Sequence, residues 1–185
     1  MSPASTVLVR DATDADLEAV TAIYAEGVLT GAGTFELTAP DTVEMAARRA
    51  AILKLGLPWL VAAIDGVVVG YAYAGPFRTR AAYRYTVEDS IYVLAGAHGR
   101  GAGKALLLEL IARCEAMGLR QMLGVIGDSG NAGSIKLHAA CGFAPMGAIE
   151  GVGFKFDDWL DVVFMQRRLG GGETTAPDAA GLPFA

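Results

Sequence analysis

Two apolar runs, Trp-Leu-Val-Ala-Ala-Ile at 59–64 and Val-Val-Val-Gly-Tyr-Ala-Tyr at 67–73, are separated by Asp65-Gly66 alone. Asp-Gly tolerates the left-handed backbone of a two-residue hairpin turn, so the runs predict two adjacent antiparallel strands. The rest of the chain must be arranged around that hairpin. Upstream, a strand at 6–10 precedes Thr13 and Asp16, a capping-box spacing that opens a helix carrying Leu17, Val20, Ile23, Tyr24 and Val28. A glycine-broken loop at 31–35 leads to Asp41 and Glu44, which mark a second helix ending near residue 55. Downstream, the pattern predicts a strand at 85–93, a helix at 101–117 stopped by Gly118, a strand at 121–126 and a helix at 131–141 stopped by Gly142. Closing strands follow at 143–149 and 159–167. The expected fold class is α/β, with a mixed sheet and helices on both faces.

A chain of 185 residues, 53% of them apolar, suits one well-packed domain. We expect that domain over residues 5–169 and a tail at 170–185, where a glycine run and mixed Thr, Pro and Ala give no periodicity. The formal charge of −5 argues against nucleic acid or an anionic membrane as partner, since both need a basic face. No leader pattern and no bilayer-length apolar run are present, so a soluble cytoplasmic protein is expected. Cys114 and Cys141 lie inside apolar helical patterns and read as buried thiols, with neither a disulfide framework nor a metal site expected.

The segment His98-Gly99-Arg100-Gly101-Ala102-Gly103-Lys104 sits where a strand gives way to a long amphipathic helix. Glycines there let backbone approach a ligand, and the free amides of a first helical turn suit phosphate. A turn closed by glycines for packing alone explains the segment equally well. A nucleotide P-loop is excluded twice, because His98 stands at its first glycine and Ala105 at its hydroxyl position. A dinucleotide fingerprint fails in both registers, meeting Leu106 or Lys104 where a sixth-position Gly or Ala is required.

What remains resembles the pyrophosphate loop of the GNAT N-acetyltransferases, which runs Gln or Arg, two residues, Gly, one residue, Gly or Ala. Gly101 and Gly103 fit and His98 departs from the Gln/Arg position. The likeness extends to Pro58-Trp59-Leu60-Val61-Ala62, Tyr71-Ala72-Tyr73-Ala74-Gly75-Pro76, Thr86-Val87-Glu88-Asp89-Ser90-Ile91-Tyr92-Val93, and Gly153-Phe154-Lys155-Phe156 with Trp159-Leu160-Asp161-Val162. Together these resemble the phosphinothricin and methionine-sulfoximine acetyltransferase subfamily. The resemblance implies a mostly antiparallel central sheet with one splayed parallel pair, acetyl-CoA as cosubstrate, a small-molecule amine as acceptor, no metal and a homodimer.

Strand alternation puts Glu88, Ser90 and Tyr92 on one face and Val87, Asp89, Ile91 and Val93 on the other. The resemblance makes Glu88 the general base, against the ordinary reading of a solvated carboxylate, while the opposite facing of Asp89 leaves that residue to packing. It also implies a pantetheine arm paired with the backbone at Ile91, Tyr92 and Val93, and coenzyme contacts along His98, Gly99, Arg100, Gly101, Ala102, Gly103 and Lys104. Asn131, Ser134 and His138 fall at i, i+3 and i+7 and share one helical face. By resemblance Asn131 and Ser134 lie near the coenzyme, while His138 occupies the family's tyrosine position and either protonates the thiolate or is structural. Arg78 and Arg80 suit a carboxylate or phosphinate, and Phe35 and Lys155 fall in segments that border the acceptor pocket in the subfamily. A catalytically silent coenzyme A-binding module and an acetyltransferase of protein amines stay open as alternatives.

Overall fold

The computed structural model describes residues 6–184, so the expected domain start at residue 5 and the last residue of the tail lie outside the described residues. Among those described, seven strands and four α-helices follow in the order β1 (Val7–Asp11), α1 (Leu17–Thr30), α2 (Thr42–Lys54), β2 (Trp59–Ile64), β3 (Val67–Pro76), β4 (Thr86–Val93), α3 (Ala102–Ala116), β5 (Gln121–Gly127), α4 (Ala132–Ala140), β6 (Ala144–Lys155) and β7 (Asp158–Arg168). The sheet order is β1-β2-β3-β4-β5-β7-β6. Every neighbouring pair is antiparallel except β4 and β5, whose parallel pairing needs a crossover, and α3 supplies it.

Asp65 and Gly66 both take positive φ, 52° and 80°, as a two-residue hairpin demands. Strand β2 is buried throughout. Leu60, Ala62 and Ile64 join the cluster under α3, whereas Trp59 and Val61 join the one under α1 and α2. That burial on both faces is why the run reads as unbroken apolar sequence. Helix α3 presents Leu106, Leu107, Leu110, Ile111 and Cys114 to the first cluster. On the opposite face Val20, Ile23, Tyr24 and Val28 of α1 meet Met45, Trp59 and Tyr71. Each such side chain contributes about 1.5–3 kcal/mol by leaving water.

The 13–16 signal caps a short 3₁₀ turn that leads directly into α1: the Asp16 carboxylate accepts from the Thr13 amide at 2.8 Å and its hydroxyl at 2.9 Å. Strand β6 runs to Lys155, six residues beyond its expected end, through register shifts at Pro145/Gly147 and Ile149/Gly153. Residues 170–184 form turns without helix or strand, yet Leu182 is buried among the α3-side cluster. No helix among the described residues is long and apolar enough to cross a membrane.

Candidate active site

Pairing between β4 and β5 begins at Thr86↔Gln121 and stops at Asp89↔Gly124, although β4 continues to Val93 and β5 to Gly127. Beyond that point the strands are held only on their outer sides, β4 by β3 and β5 by β7. The expected splay is therefore present. A cavity of about 810 Å³ occupies it, walled by Glu88 to Val93 of β4, Val125 to Gly127 of β5, the glycine-rich loop, and Asn131, Ser134 and His138 of α4. The Leu94 amide donates to the Val69 carbonyl at 2.9 Å, in register with the β3–β4 ladder. Antiparallel alternation then turns the backbone groups of Tyr92 and Ser90 toward β3 and those of Val93 and Ile91 toward the cleft.

At the cavity's outer end, Gly99 (φ 74°) and Gly101 (φ 89°) take left-handed conformations that a side chain would strain. Gly101 caps α3 with no side chain bonded to its first-turn amides, which leaves them available to an anion. Gly103 is glycine for a different reason: a Cβ there would lie 3.2 Å from Leu137 Cδ2, tight enough that the leucine of α4 would have to shift. The His98 ring Nε2 donates to the Val93 carbonyl at 3.0 Å and pins the loop to the end of β4. Lys104 lines the cavity, whereas Arg100 turns outward toward the Asp65 carboxylate, 3.9 Å away.

Glu88 is half-buried in the cavity wall, and burial first, then the neighbouring Asp89 charge, push its carboxyl up to about 7. Asp89 does not behave as an inert packing group. It is buried, and its Oδ2 lies 3.0 Å from His138 Nε2, while His138 Nδ1 lies 2.8 Å from the Ser134 carbonyl oxygen. Burial alone would lower the imidazole, but the Asp89 carboxylate and the Ser134 carbonyl outweigh it and hold the ring above its ordinary value. Asn131 caps α4, its Oδ1 accepting from the Ser134 amide at 3.2 Å. Cys114 is pushed up to about 12 by burial, which leaves it no nucleophilic role at neutral pH.

The expected acceptor residues fall outside this wall. Lys155 is buried rather than a surface charge, and its ammonium donates to the carbonyls of Gly31 and Thr34 at 2.8 and 2.9 Å. It reaches the cavity only through the 31–35 loop, where Gly33 and Thr34 are wall residues. Phe35 packs on Gly153, whose hydrogen side it approaches so closely that a Cβ would meet the ring at 2.3 Å. Arg78 and Arg80 are exposed, with Arg78 lying over the Phe77 ring, 5.1 Å from its centre. Tyr73 and Thr34 also line the cavity, although neither carries a site signal in the sequence. Tyr73 stacks on Trp59 at 4.2 Å and looks like a core aromatic in sequence; only the register, which sets it opposite Ser90, brings it to the site.

A parallel pair opened into a V, with an uncapped glycine-rich helix start beyond it, defines an acyl-carrier cleft of the acetyltransferase type. The sequence matches the acetyltransferase (GNAT) family over residues 18–143, and the chain belongs to that family. It is 54% identical over 170 residues to the phosphinothricin N-acetyltransferase of Alcaligenes faecalis, covering 92% of this chain and 86% of that one. It is 42% identical to the L-methionine sulfoximine/L-methionine sulfone acetyltransferase of Salmonella typhimurium, with 92% and 98% covered. The structure of a phosphinothricin acetyltransferase from Sinorhizobium meliloti in complex with AcCoA superposes with a TM-score of 0.92 at 50% identity, covering 96% of both chains.

Proposed function

We propose that this acetyltransferase moves the acetyl group of acetyl-CoA onto the primary amine of a small amino-acid-like acceptor of the phosphinothricin or methionine-sulfoximine kind, with Glu88 as general base. The observation that carries the reading is a carboxylate poised near neutrality in the same cavity as an unpaired strand edge and an uncapped helix start. The identities to relatives named for those two acceptors support the acceptor class.

The chain's own groups fit the donor. The first-turn amides of α3 and the Lys104 ammonium suit a pyrophosphate, and the cleft edge at Ile91 and Val93 suits an extended amide arm laid alongside it. Acetyl-CoA, when bound, supplies an acetyl thioester. The Val93 amide is turned toward the cleft and is placed to donate to a carbonyl oxygen there. Glu88 takes a proton from the acceptor ammonium, and a carboxyl raised to about 7 is basic enough to do so while remaining largely ionised just above neutrality. Both His138 nitrogens are engaged by Asp89 and Ser134, which favours the structural of its two possible roles over protonation of the thiolate.

A coenzyme A thioester donor supports action in the cytoplasm. Met146, Ile149, Val152, Phe154 and Trp159 of the β6–β7 edge are each at least half exposed, an apolar face that supports a homodimer through these strands. Light scattering at micromolar concentration should give twice the 19.2 kDa chain mass, and a monomer would contradict it. The function itself is tested by thiol release from acetyl-CoA against a panel of amines. We expect release with phosphinothricin and methionine sulfoximine and little with peptides or polyamines. Coenzyme binding without release across the panel would instead identify a silent module.

A further inference from the structure

Asp89 and Gly124 are the last residues of β4 and β5 to pair, and the His138 imidazole lies across that spot. A Cβ on Gly124 would stand 2.8 Å from His138 Cδ2, 3.0 Å from its Nε2 and 3.5 Å from Asp89 Oδ1, so only glycine leaves room for the ring. The ring is tied at both ends. Its Nδ1 faces the Ser134 carbonyl in α4 and its Nε2 faces the Asp89 carboxylate in β4. Both are acceptors, so the ring satisfies them together only when each nitrogen carries a proton. Phe143 meets it edge to face at 5.0 Å. Thus α4 reaches the sheet through a side chain fixed on three sides, at the residue pair where the ladder ends.

We propose that Asp89 is a positioning residue, which holds the His138 imidazole as a wedge over Gly124 and so keeps β4 and β5 apart where the coenzyme's arm must enter. The inference rests on the acetyl-CoA reading above, but not on Glu88. Without the Asp89 carboxylate the ring keeps its Ser134 bond and its Phe143 contact but loses the tie to β4, so nothing polar holds it over Gly124 at the point where the ladder ends.

The experiment compares wild type with Asp89→Ala, Asp89→Asn and Gly124→Ala by calorimetric titration with acetyl-CoA, by steady-state kinetics and by thermal melting. Wild-type binding of acetyl-CoA comes first; its absence would sink the donor reading, separately from this one. We expect Asp89→Ala to raise the acetyl-CoA Kd and KM about 10-fold or more through lost preorganisation, with the acceptor KM changed less than about two-fold. Asparagine should restore most of the affinity, because its amide can donate to Nε2 while Nδ1–H keeps its bond to Ser134. Gly124→Ala keeps both polar partners and displaces the ring, so it should reproduce the loss, and it carries the test should Asp89→Ala not fold. A folded Asp89→Ala or Gly124→Ala with wild-type acetyl-CoA affinity overturns the proposal, as does a fall in kcat alone or an asparagine variant no better than alanine.

Discussion

A carboxyl held half-buried beside another carboxylate, as Glu88 is beside Asp89, gives up its proton reluctantly, and the folded chain bears the consequence. Its folded value of about 7 lies above the ordinary 4.5, so the stability linked to this group is full below about 4.5 and is lost as pH rises through 7. Above that range the ionised Glu88 strains the fold by about 2 kcal/mol after allowance for its partial exposure. Glu88→Gln should therefore be more stable than wild type at pH ~8 and nearly equal to it at pH ~4.5. Chemical denaturation at the two pH values checks this, and a variant no more stable at the higher pH would remove the burial argument for the base. A carboxylate kept in the cavity at some expense to stability is the trade expected of a functional site, and it supports the proposed base.

At the scale of elements, the two hairpins contrast. The Asp65-Gly66 turn adopts positive φ with residues suited to it, but the β6–β7 turn places Phe156 and Asp157 at φ 55° and 59°. For phenylalanine that conformation costs about 1–2 kcal/mol. Replacing the pair, Phe156→Asn with Asp157→Gly, should raise stability by about 1 kcal/mol in a thermal melt. An unchanged or lower melting temperature would show that the Phe156 ring offsets the strain, the Lys155 ammonium 4.9 Å over its centre being the contact it makes. The same contrast explains what was legible. Asp65-Gly66, the Asp41 cap that accepts from the Glu44 amide at 2.8 Å, and the glycine stops at 118 and 142 are local signals, read directly from neighbours in sequence. Phe156-Asp157 carries no turn signature, and the glycines of β6 hid the continuation of the strand past Ile149 through its second bulge. Glu88, the glycine-rich loop and the α4 stripe reach the cavity because strand and helix periods fix their faces. The Asp89–His138 pair spans 49 positions, and β7 inserts between β5 and β6; neither leaves any trace in local pattern. Arg78 and Arg80 lie in a connection whose course turns them to solvent, and Lys155, at the end of β6, is drawn to the Gly31 carbonyl; no local pattern encodes either placement.

For the whole molecule, absence of periodicity in the 170–185 tail did not mean absence of contact. Leu182 is 2% exposed and its amide donates to the Arg84 carbonyl at 2.8 Å; the Tyr85 hydroxyl donates to Ala179, and Arg120 donates to Ala176. These bonds fasten the tail over the closed end of the β4–β5 pair, where the Tyr85 carbonyl accepts from the Arg120 and Gln121 amides. Ending the chain at Leu169 should cost at least about 2 kcal/mol and lower the melting temperature by about 5 °C. An unchanged melting temperature would make the tail dispensable. The sheet is thus closed at one end by the tail and opened at the other by the cleft, with Glu88 between them. The proposed role of Glu88 as base for acetyl transfer is tested by kcat/KM for phosphinothricin from pH ~5.5 to ~9, wild type against Glu88→Gln. The wild-type rate should climb through about 7, and the glutamine variant should be slower by about 10²–10⁴ with its acetyl-CoA affinity intact. A glutamine variant that keeps near-normal turnover and the same pH profile would contradict it.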